Sequence, residues 1–146
     1  MKKNFLIKSR EFVRIILITI QYKILTQIYG MHISRTARIS FGTKLDKTYP
    51  KGIHIDDESY LASGAFMFSH DFCRDIKVDT YIGKRCFIGT NAIIMAGIKI
   101  GDEVIVGSGA IVTKDVPSHS IVAGNPARII KSGIRTSKFG QLIKNI

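Results

Sequence analysis

Tryptophan is absent from this chain, and aromatic residues make up only 9% of it, too little for a core built around large rings. Cysteine is nearly as scarce. The two thiols, Cys73 and Cys86, can form neither a disulfide framework nor a four-cysteine zinc site, and such usage fits a reducing compartment. The histidines at 32, 54, 70 and 119 lack the spacing of a three-histidine zinc site, so no metal is expected. A long apolar run is missing as well. Within residues 1–30 the longest uncharged stretch, Ile15 to Tyr22, falls well short of the ~18–20 residues that a spanning helix needs. Glu11 and Arg14 interrupt the apolar pattern and no small-residue cleavage site follows it, which argues against a signal peptide.

Acidic residues are few where basic ones gather. Residues 1–31 hold six Lys/Arg (Lys2, Lys3, Lys8, Arg10, Arg14, Lys23) against Glu11, a balance of +5. Residues 128–146 hold five (Arg128, Lys131, Arg135, Lys138, Lys144) and no acid, again +5, so only +1 of the net +11 remains for 32–127. Basic arms suit nucleic acid, anionic lipid or a phosphorylated small molecule. No aromatic-studded basic surface accompanies them, so a nucleic-acid partner is not expected. With 146 residues, 45% of them apolar, the chain is one domain that buries roughly two-thirds of its unfolded surface, and wholesale disorder is excluded.

Within the first arm Phe5, Phe12, Ile16, Leu17, Ile20, Ile24 and Ile28 recur at spacings of three, four and seven, the signature of one helix face. Two settings for that face stay open. It packs on the rest of the protein, or residues 1–30 lie in the plane of the cytoplasmic membrane surface as a peripheral contact.

A six-residue period fills the middle of the chain. Aliphatic residues or Met stand six apart at Ile33, Ile39, Leu45, then at Ile55, Leu61, Met67. The series resumes at Ile76 and runs in strict register through Ile82, Ile88, Ile94, Ile100, Val106 and Val112. A small or modest residue recurs four places later, as at Ala37, Ala65, Cys86, Ala92 and Ala110. Such hexads build a three-sided coil, each side a short strand and a turn, with rungs stacked ~4.8 Å apart through parallel hydrogen bonds. Aliphatics point inward and small residues sit at the corners, so Cys86 reads as a buried structural thiol. Grouped in threes from 33, 55, 76 and 94, the hexads predict four to five rungs.

The stretch IGTNAIIMAGIKIGDEVIVGSGAIVTKDVPSHSIVAGNPARII (88–130) closely resembles the hexapeptide-repeat acyltransferases. That resemblance implies an all-β solenoid, a left-handed parallel β-helix, with acetyl-CoA as cosubstrate and a homotrimer whose active sites lie between subunits. The handedness is an exception to the usual right-handed crossover. The expected organisation is a basic helical arm over 1–31, the β-helix catalytic domain over 32–125 with a loop at 68–75, and a short basic C-terminal helix and tail over 126–146.

The repeat is interrupted twice, between Leu45 and Ile55 and between Met67 and Ile76, each time after the third hexad of a rung. Both loops therefore leave the prism at one corner, and loops on a rigid scaffold are where chemistry is mounted. The second loop, FSHDFCRD, carries His70. Taking a proton from an acceptor hydroxyl needs a base with a pKa near neutrality, which histidine supplies without tuning. His70 in FSHD also resembles the catalytic histidine of the family. Asp71 or Asp75 either orients its ring or caps the loop. His32 and His54 read as structural or surface residues, and His119 lies on the return segment. Cys73 lacks neighbours that would make it a nucleophile.

By their place in the motif, Thr90 and Ser108 match family positions along the pantetheine arm of the coenzyme. Thr113 and Lys114 match positions near its outer portion. Arg128 and Lys131 resemble the basic pair at the nucleotide phosphates, which a positively charged arm would favour. The resemblance is nearest to compact O-acetyltransferases of capsule, O-antigen and exopolysaccharide clusters, many of which act at the cytoplasmic membrane face. It therefore implies a cytoplasmic enzyme that acetylates a sugar hydroxyl. Serine O-acetylation, sugar N-acetylation and a non-catalytic β-helix scaffold are the alternatives.

Overall fold

The computed structural model describes residues 2–143; of residues 2–6 and 8 only the backbone is described. The helix α1 (Lys2–Lys23) is followed by a π-helical turn over Ile24–Ile28. Gly30, at φ 71, turns the chain out of the helix in a left-handed conformation that costs glycine little.

Three strands then make the first rung: β1 (His32–Ile33), β2 (Arg38–Ile39) and β3 (Lys44–Leu45). The second rung is β4 (Ile53–Ile55), β5 (Tyr60–Leu61) and β6 (Phe66–Met67). A hairpin, β7 (His70–Asp71) and β8 (Ile76–Lys77), leaves the prism here. The third rung is β9 (Thr80–Ile82), β10 (Phe87–Ile88) and β11 (Ile93–Ile94), and the fourth is β12 (Lys99–Ile100), β13 (Ile105–Val106) and β14 (Ile111–Val112). A fifth, partial rung begins with a bridge from Ile100 to Val116 and ends in β15 (Ser120–Ala123), against which β16 (Arg128–Ser132) folds back.

Each side of the prism is a parallel sheet in register. The first side stacks Ile33, Ile55, Ile82 and Ile100. The second stacks Ile39, Leu61, Ile88, Val106 and Val122. The third stacks Leu45, Met67, Ile94 and Val112. All are buried except Ile39, half-buried on the end rung. Each buried aliphatic contributes ~1.5–3 kcal/mol. A one-residue slip would turn a whole stack outward, so the hexad also sets the register. Cys86 is fully buried in this core, as its place in the small-residue series implies.

Two expectations need correction. The third rung begins at Ile82, not Ile76, and the fourth at Ile100, not Ile94. Ile76 keeps the six-residue spacing yet pairs antiparallel with Asp71 in the hairpin, so the loop predicted for 68–75 runs on to the start of β9 at Thr80. The C-terminal helix is not formed either. After Ala123 the chain reverses through Gly124 (φ 97), and Val122 pairs with Ile129 and Ile121 with Lys131. The last strand of a solenoid leaves unpaired backbone groups, and a hairpin satisfies them where a helix would not. The tail continues to a short 3-10 turn at Lys138–Gly140, which packs on Cys86 and Phe87; Lys144 and the last residues of the predicted tail lie outside the described residues.

Candidate active site

The corner between the third and first sides carries both insertions. Asp46 opens the first, directly after β3, and His70 stands in the second, one rung above. Asp46 is 5% exposed and receives three backbone N–H groups. The amide of Thr48 donates to Oδ1 at 2.8 Å, and those of Ser69 and His70 donate to Oδ2 at 3.0 Å each. The same Oδ2 makes a short contact with Nδ1 of His70. Burial by itself would raise the Asp46 carboxyl. The amides of Ser69, Thr48 and His70, with the imidazole, outweigh burial and hold it below the usual carboxylate range.

A carboxylate at Nδ1 keeps the ring proton on that nitrogen and leaves the lone pair of neutral His70 on Nε2. The ring stays partly open to solvent, its side chain 26% exposed. Its position is fixed from several sides. Ser69 donates its hydroxyl to the Tyr49 carbonyl, which ties the two loops together. Thr80 donates to the Phe68 carbonyl at 2.6 Å and receives the Gly97 amide at 2.9 Å. Phe66 and Phe68 stack with centroids 4.1 Å apart, and Phe68 meets the His70 ring edge-on at 6.4 Å. A held imidazole with one nitrogen bonded to a buried carboxylate and the other turned to solvent has the geometry that general-base chemistry requires.

Asp71 does not orient this ring. It accepts from Arg74 through Nε at 2.7 Å and the backbone at 3.1 Å, and so caps the loop. Asp75 sits at φ 51 in the hairpin turn, its amide donating to the Phe72 carbonyl. Asp46 is a functional residue that the sequence analysis does not single out. The sequence carries a signal for it, since the first insertion leaves the same corner one rung below His70, whereas Asp71 and Asp75 are near the histidine only along the chain.

The remaining candidates divide between two corners. Thr113 and Lys114 are exposed on the corner that bears His70, two rungs above it. Thr90 and Ser108 are exposed at the next corner, across the third side of the prism. Arg128 and Lys131 are exposed on β16, with no carboxylate in salt-bridge reach among the described residues. A single copy therefore does not bring Thr90 and Ser108 together with His70. His119 belongs elsewhere, 3.7 Å from Glu103, and His54 stacks between His32 and Tyr81 on the outer surface of the first side. Among the described residues no cluster of His, Cys, Asp and Glu could hold a metal ion.

A second carboxylate, Glu103, is buried at another corner. Glu58, Arg85, Glu103 and His119 occupy equivalent left-handed corner positions, at φ 52 to 63, and so stack. Glu103, 1% exposed, takes Arg85 at 2.6 Å, Arg135 at 3.1 Å and the Thr136 amide at 2.8 Å. It clamps the C-terminal tail onto the prism.

Residues 80–114 match the family model described as the hexapeptide repeat of succinyl-transferase. This is a hexapeptide-repeat chain with the fold of the left-handed β-helix acetyltransferases. A maltose O-acetyltransferase from Clostridium difficile 630 superposes with a TM-score of 0.59 and 27% identity, covering 76% of this chain and 73% of that one. A hexapeptide-repeat acetyltransferase from Vibrio cholerae, solved with acetyl coenzyme A, shares the fold at a TM-score of 0.56 and 21% identity, over 78% of this chain and 76% of that one. A chloramphenicol acetyltransferase of Agrobacterium fabrum is 53% identical over 66 residues, 45% of this chain and 32% of that protein. The chain thus spans about a third of that relative's length.

Proposed function

We propose that this hexapeptide-repeat chain transfers an acetyl group from acetyl-CoA to a sugar hydroxyl, with His70 as general base and Asp46 as the residue that orients it. The observation that carries the reading is the buried Asp46 carboxylate on Nδ1 of a loop histidine held at the prism corner. In this mechanism Nε2 takes the hydroxyl proton as the oxygen forms its bond to the acetyl carbon. Asp46 stabilises the imidazolium that results, and the same nitrogen returns the proton to the departing thiolate, so the dyad ends as it began.

Sugar as the acceptor class is supported by the likeness to a maltose O-acetyltransferase over three-quarters of the chain. Precursors of capsule, O-antigen or exopolysaccharide in the cytoplasm are the acceptors this reading names. Thr90, Ser108, Thr113, Lys114, Arg128 and Lys131 are the residues proposed to hold the coenzyme. Their exposed hydroxyls and cations fit a phosphorylated ligand, and their division between two corners supports a homotrimer in which one copy's corner faces the next copy's His70.

The test is release of free thiol from acetyl-CoA, followed with a panel of mono- and oligosaccharides and with serine. Sugar-dependent release that His70→Ala abolishes supports the reading. Release only with serine, or none with any acceptor, overturns it.

A further inference from the structure

The helix α1 meets the prism along only part of its surface. Tyr22, Leu25 and Tyr29 pack against the end of the core, and the Tyr22 hydroxyl donates to the Ile33 carbonyl. Ile18, Gln21 and Leu25 face Ile33, Arg35 and Ala37 across one crevice, and Leu17, Ile20 and Ile24 face Phe41 and Lys44 across another. Phe12, Val13, Ile15 and Ile16 line neither crevice and stand 65%, 52%, 61% and 42% exposed. Arg14, by contrast, turns toward the first rung beside Arg35. The helix thus presents apolar side chains outward and cations along its flank. An apolar helix face of this size requires a cover. The side chain of Phe5, part of the predicted apolar face, lies outside the described residues.

Charge identifies the cover. β1, β2 and β3 each form the last strand of their sheet, so the first rung and α1 make up one end of the prism. Residues 1–51, whose described part builds that end, contain eleven Lys/Arg and two acids in sequence, a balance of +9, against +2 for residues 52–146. That balance already counts both acids. Asp46 is buried under His70, and Glu11 is shared between Arg10 and Arg14. Exposed Arg35, Lys44, Lys47 and Lys51 extend the basic layer from the helix onto the first rung, beside Phe41, which is 58% exposed. A second copy placed against this end would bring its own +9 and meet strong repulsion. An anionic bilayer supplies both the apolar cover and the opposite charge. No described helix is long and apolar enough to cross a membrane, so contact in the interfacial plane is the geometry available.

We infer that this end of the prism is a docking surface for anionic lipid bilayers, with Phe12, Val13 and Ile16 entering the headgroup boundary and the lysines of the first rung contacting lipid phosphates. This surface lies at the opposite end from β15 and β16 and does not depend on the acetyl-transfer reading.

Because the chain lacks tryptophan, Phe12→Trp installs a single emission reporter. The full chain is mixed with vesicles of phosphatidylcholine alone or with about a third phosphatidylglycerol, and sedimented at low and high salt. The expected result is sedimentation with anionic vesicles only, weakened several-fold by salt, with a blue shift of the emission from the introduced indole. Phe12→Asp with Ile16→Asp should lower partitioning at least about tenfold. Lys44→Gln with Lys51→Gln should lower it about tenfold with no residue of the helix replaced. Unchanged melting temperatures show that these variants fold. Failure of the wild-type chain to bind anionic vesicles at low salt overturns the inference, as does binding that Phe12→Asp with Ile16→Asp leaves intact. A fall in oligomer mass caused by that pair of substitutions, in a chain that ignores vesicles, would mean that a second copy covers the face.

Discussion

Replacing Asp46 by Asn tests the role of the carboxylate beneath His70 with almost no change of shape. The side chain keeps one acceptor oxygen. Placed at the Oδ2 position, it retains the Ser69 and His70 amides while its NH2 group opposes the Thr48 amide. What disappears is the negative charge facing Nδ1. A hydrogen bond to a charged group contributes ~1.5–3 kcal/mol, and both partners are mostly buried, so that range applies without a large discount. The imidazolium formed in the transfer step loses about that much, which corresponds to a roughly 10- to 150-fold fall in kcat. The assay is thiol release at saturating acetyl-CoA and acceptor, with thermal unfolding of the same samples so that turnover is counted per folded molecule. A merely structural role would reduce the folded fraction and leave turnover per folded molecule in place. Turnover per folded molecule within about threefold of wild type would refute the reasoning. Stability follows the same group. The folded-state carboxyl lies below its usual value of 3.8, so its contribution is present above that pH and is lost as pH falls through the lower folded value; the Asp46→Asn variant should lack this acid-side loss.

His70→Ala should lower turnover by roughly 10²–10⁴-fold while calorimetry still records acetyl-CoA binding; turnover within a few-fold of wild type at neutral pH would remove His70 from the mechanism. Arg128→Ala with Lys131→Ala should raise the KM for acetyl-CoA about tenfold, less at high salt, with kcat nearly constant, whereas Lys138→Ala with Lys144→Ala should not; equal effects from both pairs would mean that only the long-range field matters. Glu103→Gln should lower the melting temperature and release the C-terminal tail to proteolysis, because Arg85, Arg135 and the Thr136 amide lose their shared carboxylate; an unchanged cleavage pattern would remove the clamp. Burial pushes the Cys86 thiol up to about 12, and Cys73 is exposed. Titration with a thiol reagent at a pH of about 8 should therefore find one reactive group in the native chain and two after denaturation, and two in the native state would place Cys86 at the surface.

The hexad was sufficient for most of the fold. An aliphatic every six residues is buried in a three-sided coil, and the 18-residue pairing of Ile82 with Ile100, Ile88 with Val106 and Ile94 with Val112 is present, although grouping from Ile76 sets these residues one side away from the partners they have in the second rung. The spacing could not tell Ile76, which mimics the hexad from within a hairpin, from a true rung position, because period alone carries no information about strand direction. His70 was legible for a related reason, since a break in a strict repeat marks a loop and the loop held a histidine. Which carboxylate would meet it was decided only by stacking. Asp46 is distant along the chain and adjacent in space, brought under His70 because one turn of the coil returns the backbone to the same corner. The Glu103 clamp arises in the same way, from corner residues aligned by the rungs and a tail that folds back over them. Likewise, the C-terminal segment reads as a basic helix by local composition and forms a strand because β15 leaves an edge to be paired. Local sequence determined what each rung buries; the closing of the coil decided which polar groups meet across rungs.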